Sequence, residues 1–204
     1  MKTVVYSFVT PGYDEKVKDG RLYVDAHVDI CEKFKEARMV SRMVKALPHL
    51  FLDADACLWL DSNVTFVNGY SAEQLIEEYF SDTQHCGVFE HTRSTTIDQE
   101  METVNGLHLD APDLVAAHKG QEGRLAWTGI LYRRLTPEVI AANNRWWAEL
   151  STKSSRDQLS FPYVFKELTD YQVNPDLKEL GPRCWINNSK WQVRRHLQTC
   201  GKLG

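Results

Sequence analysis

The chain is 204 residues long, 43% hydrophobic and 25% charged, with 24 Lys and Arg against 28 Asp and Glu. That length suits one domain with a full core, and the composition excludes disordered, collagen-like and disulfide-scaffold chains. A net charge of −4 gives no global basis for coating nucleic acid, although a local basic groove is compatible with it.

Lys2–Val9 reads as a buried first strand, closed by Thr10-Pro11-Gly12. Its apolar part is too short for a secretory signal and has only Lys2 before it. No apolar run approaches the roughly 18–20 residues that span a bilayer. Arg21–Val28 is a candidate second strand. From Glu32, apolar Phe34, Ala37, Val40, Met43, Val44 and Leu47 recur at helical spacing until Pro48. Ala56-Cys57-Leu58-Trp59-Leu60 is a central strand whose unbroken apolar character fits a sheet covered on both faces. Ser71-Ala72-Glu73-Gln74 is a capping box opening a helix to about Phe80.

Cys86–Phe89 is the next strand. Thr96-Ile97-Asp98-Gln99 repeats the capping pattern, and a helical pair fills about 96–119. Ala126–Tyr132 is a further strand. Thr136-Pro137-Glu138 starts a helix to about Leu150, with an N-cap, a first-turn proline and an acid near the positive end of the dipole. Another helix follows Arg156-Asp157-Gln158, and from about residue 170 an irregular tail with short strands is expected. Alternating strands and helices mark an α/β layer structure, and no repeat or long linker divides residues 1–204. The five cysteines (Cys31, Cys57, Cys86, Cys184, Cys200) are odd in number and lack C-x-x-C spacing, which reads as reduced, mostly buried thiols in a cytoplasm.

The densest signal is Leu58-Trp59-Leu60-Asp61-Ser62-Asn63, where a buried strand runs into polar residues. Ligands of open α/β sheets sit beyond the carboxyl ends of strands. An aspartate there can hold a divalent cation that neutralises a diphosphate, with Asn63 offering a neutral oxygen. The same triplet also reads as a polar turn. Asp53-Ala54-Asp55 brings to mind haloacid dehalogenase phosphatases, but Pro48-His49-Leu50 precedes it in place of a long strand, so these aspartates are expected in a surface turn.

The ordered motifs resemble the glycosyltransferase-like domain family of plant turgor-regulation and mucilage proteins and their bacterial relatives. They are more distantly similar to the glycogenin and lipopolysaccharide galactosyltransferase group. The segments are Val5-Tyr6-Ser7 to Gly12-Tyr13-Asp14, Arg38 to His49 leading into Trp59-Leu60-Asp61-Ser62-Asn63, and Phe89-Glu90-His91-Thr92-Arg93. Trp127-Thr128-Gly129-Ile130-Leu131-Tyr132-Arg133-Arg134 and Ser155-Arg156-Asp157-Gln158-Leu159-Ser160-Phe161-Pro162-Tyr163-Val164 complete the set. The resemblance implies a GT-A-like fold, a central mixed and mostly parallel sheet flanked by helices. It also implies a nucleotide-diphosphate sugar donor, a UDP-sugar being favoured, and Mn²⁺ or Mg²⁺.

On that resemblance Asp61 and Asn63 hold the metal, and a late histidine such as His196 or His118 completes the set. Thr10, Tyr13 and Asp14 lie where the nucleoside belongs. Arg38 and Lys45 reach the phosphates from one helix face, while Arg42 between them reads as solvated. Trp127 and Gly129 form the sugar pocket, and Asp157 and Gln158 contact sugar hydroxyls and orient the anomeric carbon. Glu90 and His91 are candidates for acceptor binding or base catalysis, and Trp146-Trp147 for packing. Arg194-Arg195-His196 reads as an anion site or, more simply, as a charged helix face.

The expected function is metal-dependent transfer to a glycan, a small molecule or a modified base in phage DNA, with retention favoured by the distant group. The absence of the plant relatives' membrane anchor suits a bacterial or phage-infected cytoplasm. The alternative is a catalytically degenerate sugar-nucleotide or glycan-binding module, motivated by Asn63 and a shortened stretch between Tyr13 and Arg38.

Overall fold

The computed structural model describes residues 1–9, 16, 18–24, 37–80, 84–91, 94–168, 171–174 and 184–186. Strands β1 (Thr3–Ser7), β2 (Leu22–Tyr23), β3 (Ala56–Leu60), β5 (Cys86–Glu90), β6 (Ala126–Arg134) and β7 (Tyr171–Asn174) form one sheet in the order β2-β1-β3-β6-β5-β7. All neighbours are parallel except β6, which runs antiparallel to both β3 and β5. The expected mixed, mostly parallel sheet flanked by helices is the one observed. A second sheet pairs β4 (Val64–Phe66) with β8 (Cys184–Ile186), so the tail returns beside the turn that follows β3.

All five residues of β3 are buried. Cys57 and Trp59 face one core with Tyr6, Val44, Leu131, Trp146 and Phe161. Ala56, Leu58 and Leu60 face the other with Leu75, Phe80, Phe89 and Tyr132. The first core lies under α1 (Ala37–Ala46), α5 (Pro137–Thr152) and α6 (Asp157–Phe165), and the second under α2 (Ala72–Tyr79). A smaller cluster of Ile97, Val104, Val115, Leu125 and Leu159 joins α3 (Ile97–Gly106) and α4 (Pro112–Ala116) to α6.

Local chemistry explains the boundaries. Ser71 and Gln74 form the reciprocal capping box of α2. At α3 the pattern is half realised: Thr96 caps Gln99 N–H, but the Gln99 side chain turns to the Thr95 N–H and hydroxyl. Pro48 ends the α1 segment by starting a single 3-10 turn, Pro48–Leu50. The start expected at Glu32 and the second half of the strand expected over 21–28 lie outside the described residues, and the first half holds the two-residue β2. Asp53 is exposed and ion-paired to Lys2, and Asp55 accepts from the Lys2 N–H, which makes them the expected surface turn.

Candidate active site at the carboxyl edge of the sheet

Asp61 leaves β3 into a turn closed by Val64 N–H donating to Asp61 O at 2.9 Å. The polar turn expected of this triplet is the one observed. Its backbone is held from three sides. Asp61 N–H donates to Gly129 O at 2.8 Å, and Ser7 Oγ donates to Leu60 O at 2.8 Å. The buried Arg21 side chain, ion-paired to Asp19, donates to Val64 O at 2.8 Å and to Asp61 O at 3.5 Å. Trp59 and Asp61 are two apart and share a strand face, so the Trp59 indole N–H reaches Asp61 Oδ1 at 2.7 Å.

Lys45, wholly buried near the end of α1, donates from Nζ to Asp157 Oδ2 at 2.6 Å, Thr128 Oγ1 at 3.1 Å and Asp61 Oδ1 at 3.2 Å. It stands 5.6 Å from the centre of the Trp59 ring. Thr128 Oγ1 passes the contact on, donating to Asp157 Oδ2 at 2.8 Å. One ammonium thus bridges two carboxylates that are far apart in sequence.

Thr128 reaches this position because β6 bulges. Val88 pairs with Leu131 but Phe89 pairs with Trp127, so Thr128–Ile130 have no partner on β5. Within the bulge Gly129 lets the Trp127 indole lie close. A Cβ at 129 would stand 2.3 Å from the ring.

Asp157 opens α6 and is buried. Burial pushes its pKa up, but the charges of Arg42, Lys45 and Arg156 and the Lys45 hydrogen bond outweigh that and hold the carboxyl far below the usual range. Arg42 is the clearest departure from expectation. It is not a solvated residue but an inward one, donating from Nη1 to Asp157 Oδ2 at 3.0 Å and from Nε to Ser155 O at 3.2 Å. Arg38 lies on the same face and donates from Nη1 to Ser155 Oγ and Leu109 O, each at 3.0 Å. Asp110 Oδ2 accepts from Ser155 N–H at 2.8 Å, Ser155 Oγ at 2.9 Å and Ser154 Oγ at 3.0 Å. The entry to α6 is therefore fixed from α1 and from the loop before α4.

The remaining expected residues divide. Gln158 is buried, with Oε1 unpartnered among the described residues. Glu90 ends β5 but is engaged by Arg124 Nε at 2.7 Å, and His91 Nδ1 accepts from Ser94 N–H at 3.0 Å. His118 is buried, not exposed, and its Nδ1 meets Gln121 Oε1 at 2.9 Å, not either aspartate. Thr10, Tyr13, Asp14 and His196 lie outside the described residues.

No protein-family model matches the chain, and no curated protein matches it. Among solved structures, the chain aligns with a glycosyltransferase involved in the glycosylation of the major capsid of PBCV-1. The alignment has a TM-score of 0.56 and 12% identity, and covers 97% of this chain and 100% of that one. The fold is shared with a glycosyltransferase. Mouse xyloside xylosyltransferase 1 in its apo form also aligns, with a TM-score of 0.42, 11% identity, and 76% and 62% coverage. At 12% identity the likeness to the capsid-glycosylating protein is one of fold.

The donor set can be tested against the expected cation. Both contacts to the Asp61 carboxylate use Oδ1, leaving Oδ2 clear among the described residues. Asn63 Oδ1 is buried without a described partner. Open oxygens of this kind fit a hard cation such as Mg²⁺ or Mn²⁺. Among the described residues no three His, Cys, Asp or Glu side chains gather as a ligand set, so Asp61 and Asn63 would supply only part of the oxygens that such a cation takes. Among the same residues no helix is long and apolar enough to cross a membrane.

Proposed function

We propose that the chain is a metal-assisted glycosyltransferase that moves a sugar from a nucleotide diphosphate, a UDP-sugar being favoured, to a glycan, small-molecule or modified-DNA acceptor. The observation that carries this reading is the Lys45-bridged pair of Asp61 and Asp157 at the carboxyl edge of the sheet, within a fold shared with a glycosyltransferase.

Asp61 Oδ2 and Asn63 Oδ1 would hold Mn²⁺ or Mg²⁺, which supplies charge stabilisation for the departing diphosphate. Lys45 keeps Asp61 oriented from behind. Asp157 has one oxygen committed to Lys45, Arg42 and Thr128, and Oδ1 remains to accept a sugar hydroxyl. Its other oxygen is already tied to three donors, which fixes the carboxylate in place. Asp157 therefore orients the sugar, and retention of the anomeric configuration is the favoured outcome. Gln158 Oε1 and the Trp127–Gly129 wall complete the sugar side, while Glu90 stands at the same sheet edge for the acceptor.

The test is a screen of nucleotide sugars with Mn²⁺, reading hydrolysis and transfer. Asp61→Ala is expected to lower turnover by about 100-fold or more, the usual scale for removing an electrostatic stabiliser, and chelation is expected to abolish it. Binding of no nucleotide sugar, with Asp61→Ala indistinguishable from the parent, would refute the proposal. A second reading, a sugar-nucleotide or glycan-binding module without turnover, draws on the two carboxylates already being neutralised by Lys45 and Arg42. Calorimetry separates the two: metal-independent donor binding without turnover supports the module.

A further inference from the structure

Arg133 is wholly buried on β6, and among the described residues no carboxylate pairs with it. A buried guanidinium without an anion is strongly disfavoured unless other groups neutralise it. Its Nη2 donates to Lys45 O at 2.5 Å and to the Tyr6 hydroxyl at 2.8 Å. Its Nη1 donates to Asn143 Oδ1 at 2.7 Å and Ala46 O at 3.4 Å. The guanidinium carbon also lies 5.9 Å from the centre of the Trp146 ring.

Two of these acceptors are the last carbonyls of α1. They form the negative end of the helix dipole, where a cation is favoured. The end of α1 thus acts as the counter-charge. Arg133 Nε has no partner among the described residues, so this pocket does not satisfy the guanidinium completely. An apolar side chain would fill the space without that penalty, but it would not grip α1.

The gripped residue is the one whose side chain enters the site. Lys45 O takes hydrogen bonds from Arg133 and, at 3.2 Å, from the Tyr6 hydroxyl, while Lys45 Nζ contacts Asp61, Thr128 and Asp157. Arg133 and Thr128 belong to the same strand, so β6 holds both ends of Lys45. We propose that Arg133 is a positioning residue: by gripping the carboxyl end of α1 it sets where the Lys45 ammonium stands between Asp61 and Asp157. That this ammonium serves a donor site rests on the function proposed above; the positioning itself does not.

The test uses the full chain with ¹⁵N-lysine and ¹³C-aspartate labels and needs no substrate. The Lys45 ammonium resonance is identified by its loss in Lys45→Met, and the Asp157 carboxyl resonance is read alongside. In Arg133→Met, checked for folding by circular dichroism, both resonances shift and ammonium proton exchange quickens by about tenfold, the scale of one lost charged hydrogen bond. Arg133→Lys falls between that variant and the parent. Tyr6→Phe shifts the same signals less and in the same direction, and decides the matter should Arg133→Met not fold. A folded Arg133→Met, or in its place Tyr6→Phe, with both resonances and the exchange rate unchanged overturns the proposal. Moved resonances in a protein that binds no nucleotide sugar would uphold the positioning and refute the function; unmoved resonances in an active enzyme would do the reverse.

Discussion

A lysine with no exposed surface needs compensation for every part of its charge, and Lys45 finds it in Asp157, Asp61 and the Thr128 hydroxyl. Replacing it by methionine leaves Asp157 buried with Arg42 as its remaining direct cation. Lys45→Met is expected to lower stability by about 3 kcal/mol or more, measured by urea unfolding. Adding Asp157→Asn should recover part of that loss, because the stranded charge is gone. The pH dependence follows from the depressed Asp157 pKa. Its stabilisation is complete above the unfolded value of 3.8 and is lost as the pH falls below that value toward the folded one. Asp157→Asn is therefore less stable than the parent at neutral pH, and its melting temperature falls less steeply in that acid range.

At the scale of elements, the site depends on a break in one strand and on the fixed entry of one helix. The β6 bulge turns Thr128 toward Lys45 and sets the Trp127 ring against Gly129. In Gly129→Ala the new methyl must displace that ring. With 5-fluorotryptophan incorporated at the six tryptophans, one ¹⁹F resonance should move strongly, and sugar-nucleotide affinity should fall if the ring lines the donor pocket. The entry of α6 is held by Asp110 Oδ2, which accepts three hydrogen bonds. Asp110→Ala is expected to cost about 1–3 kcal/mol by urea unfolding, the scale of stranded buried donors, and to loosen Asp157. Asp110 escaped notice in the sequence because its partners lie about 45 positions away and no local pattern announces such a contact.

The whole molecule carries its layers on both faces of β3, and its acid sensitivity includes groups far from the site. His118 is buried beside Gln121, and burial lowers its pKa from 6.5 against the raising effect of the Gln121 hydrogen bond. A histidine kept neutral by the fold must take up a proton to match the unfolded chain. Stability is thus full above about pH 6.5 and declines as the pH drops through the window below it. His118→Gln should flatten the fall in melting temperature over that window, leaving a residue from His49, whose pKa is also lowered by burial. Cys57 and Cys86 are buried free thiols whose pKa values burial raises. They should resist a thiol reagent in the native protein and react on unfolding, as expected from cysteine spacing alone.

Much of the fold was legible from local chemistry. The unbroken apolar run of β3 announced two covered faces, the Ser71 box and Thr136-Pro137 marked helix starts, and Asp61 stood where a buried strand had to stop. The spacing of Arg38, Arg42 and Lys45 placed them on one helix face, because helical periodicity is a local property. What that face meets is not local. Only the tertiary fold, which brings the first residue of α6 within reach of α1, turned Arg42 inward and joined Lys45 to Asp157, 112 positions away. Only the register shift of β6 against β5 brought Thr128 between them. Sequence by itself determined which apolar residues had to be buried and where several elements begin; the tertiary structure decided which charges are buried and compensate one another, since charge pairing depends on separation in space.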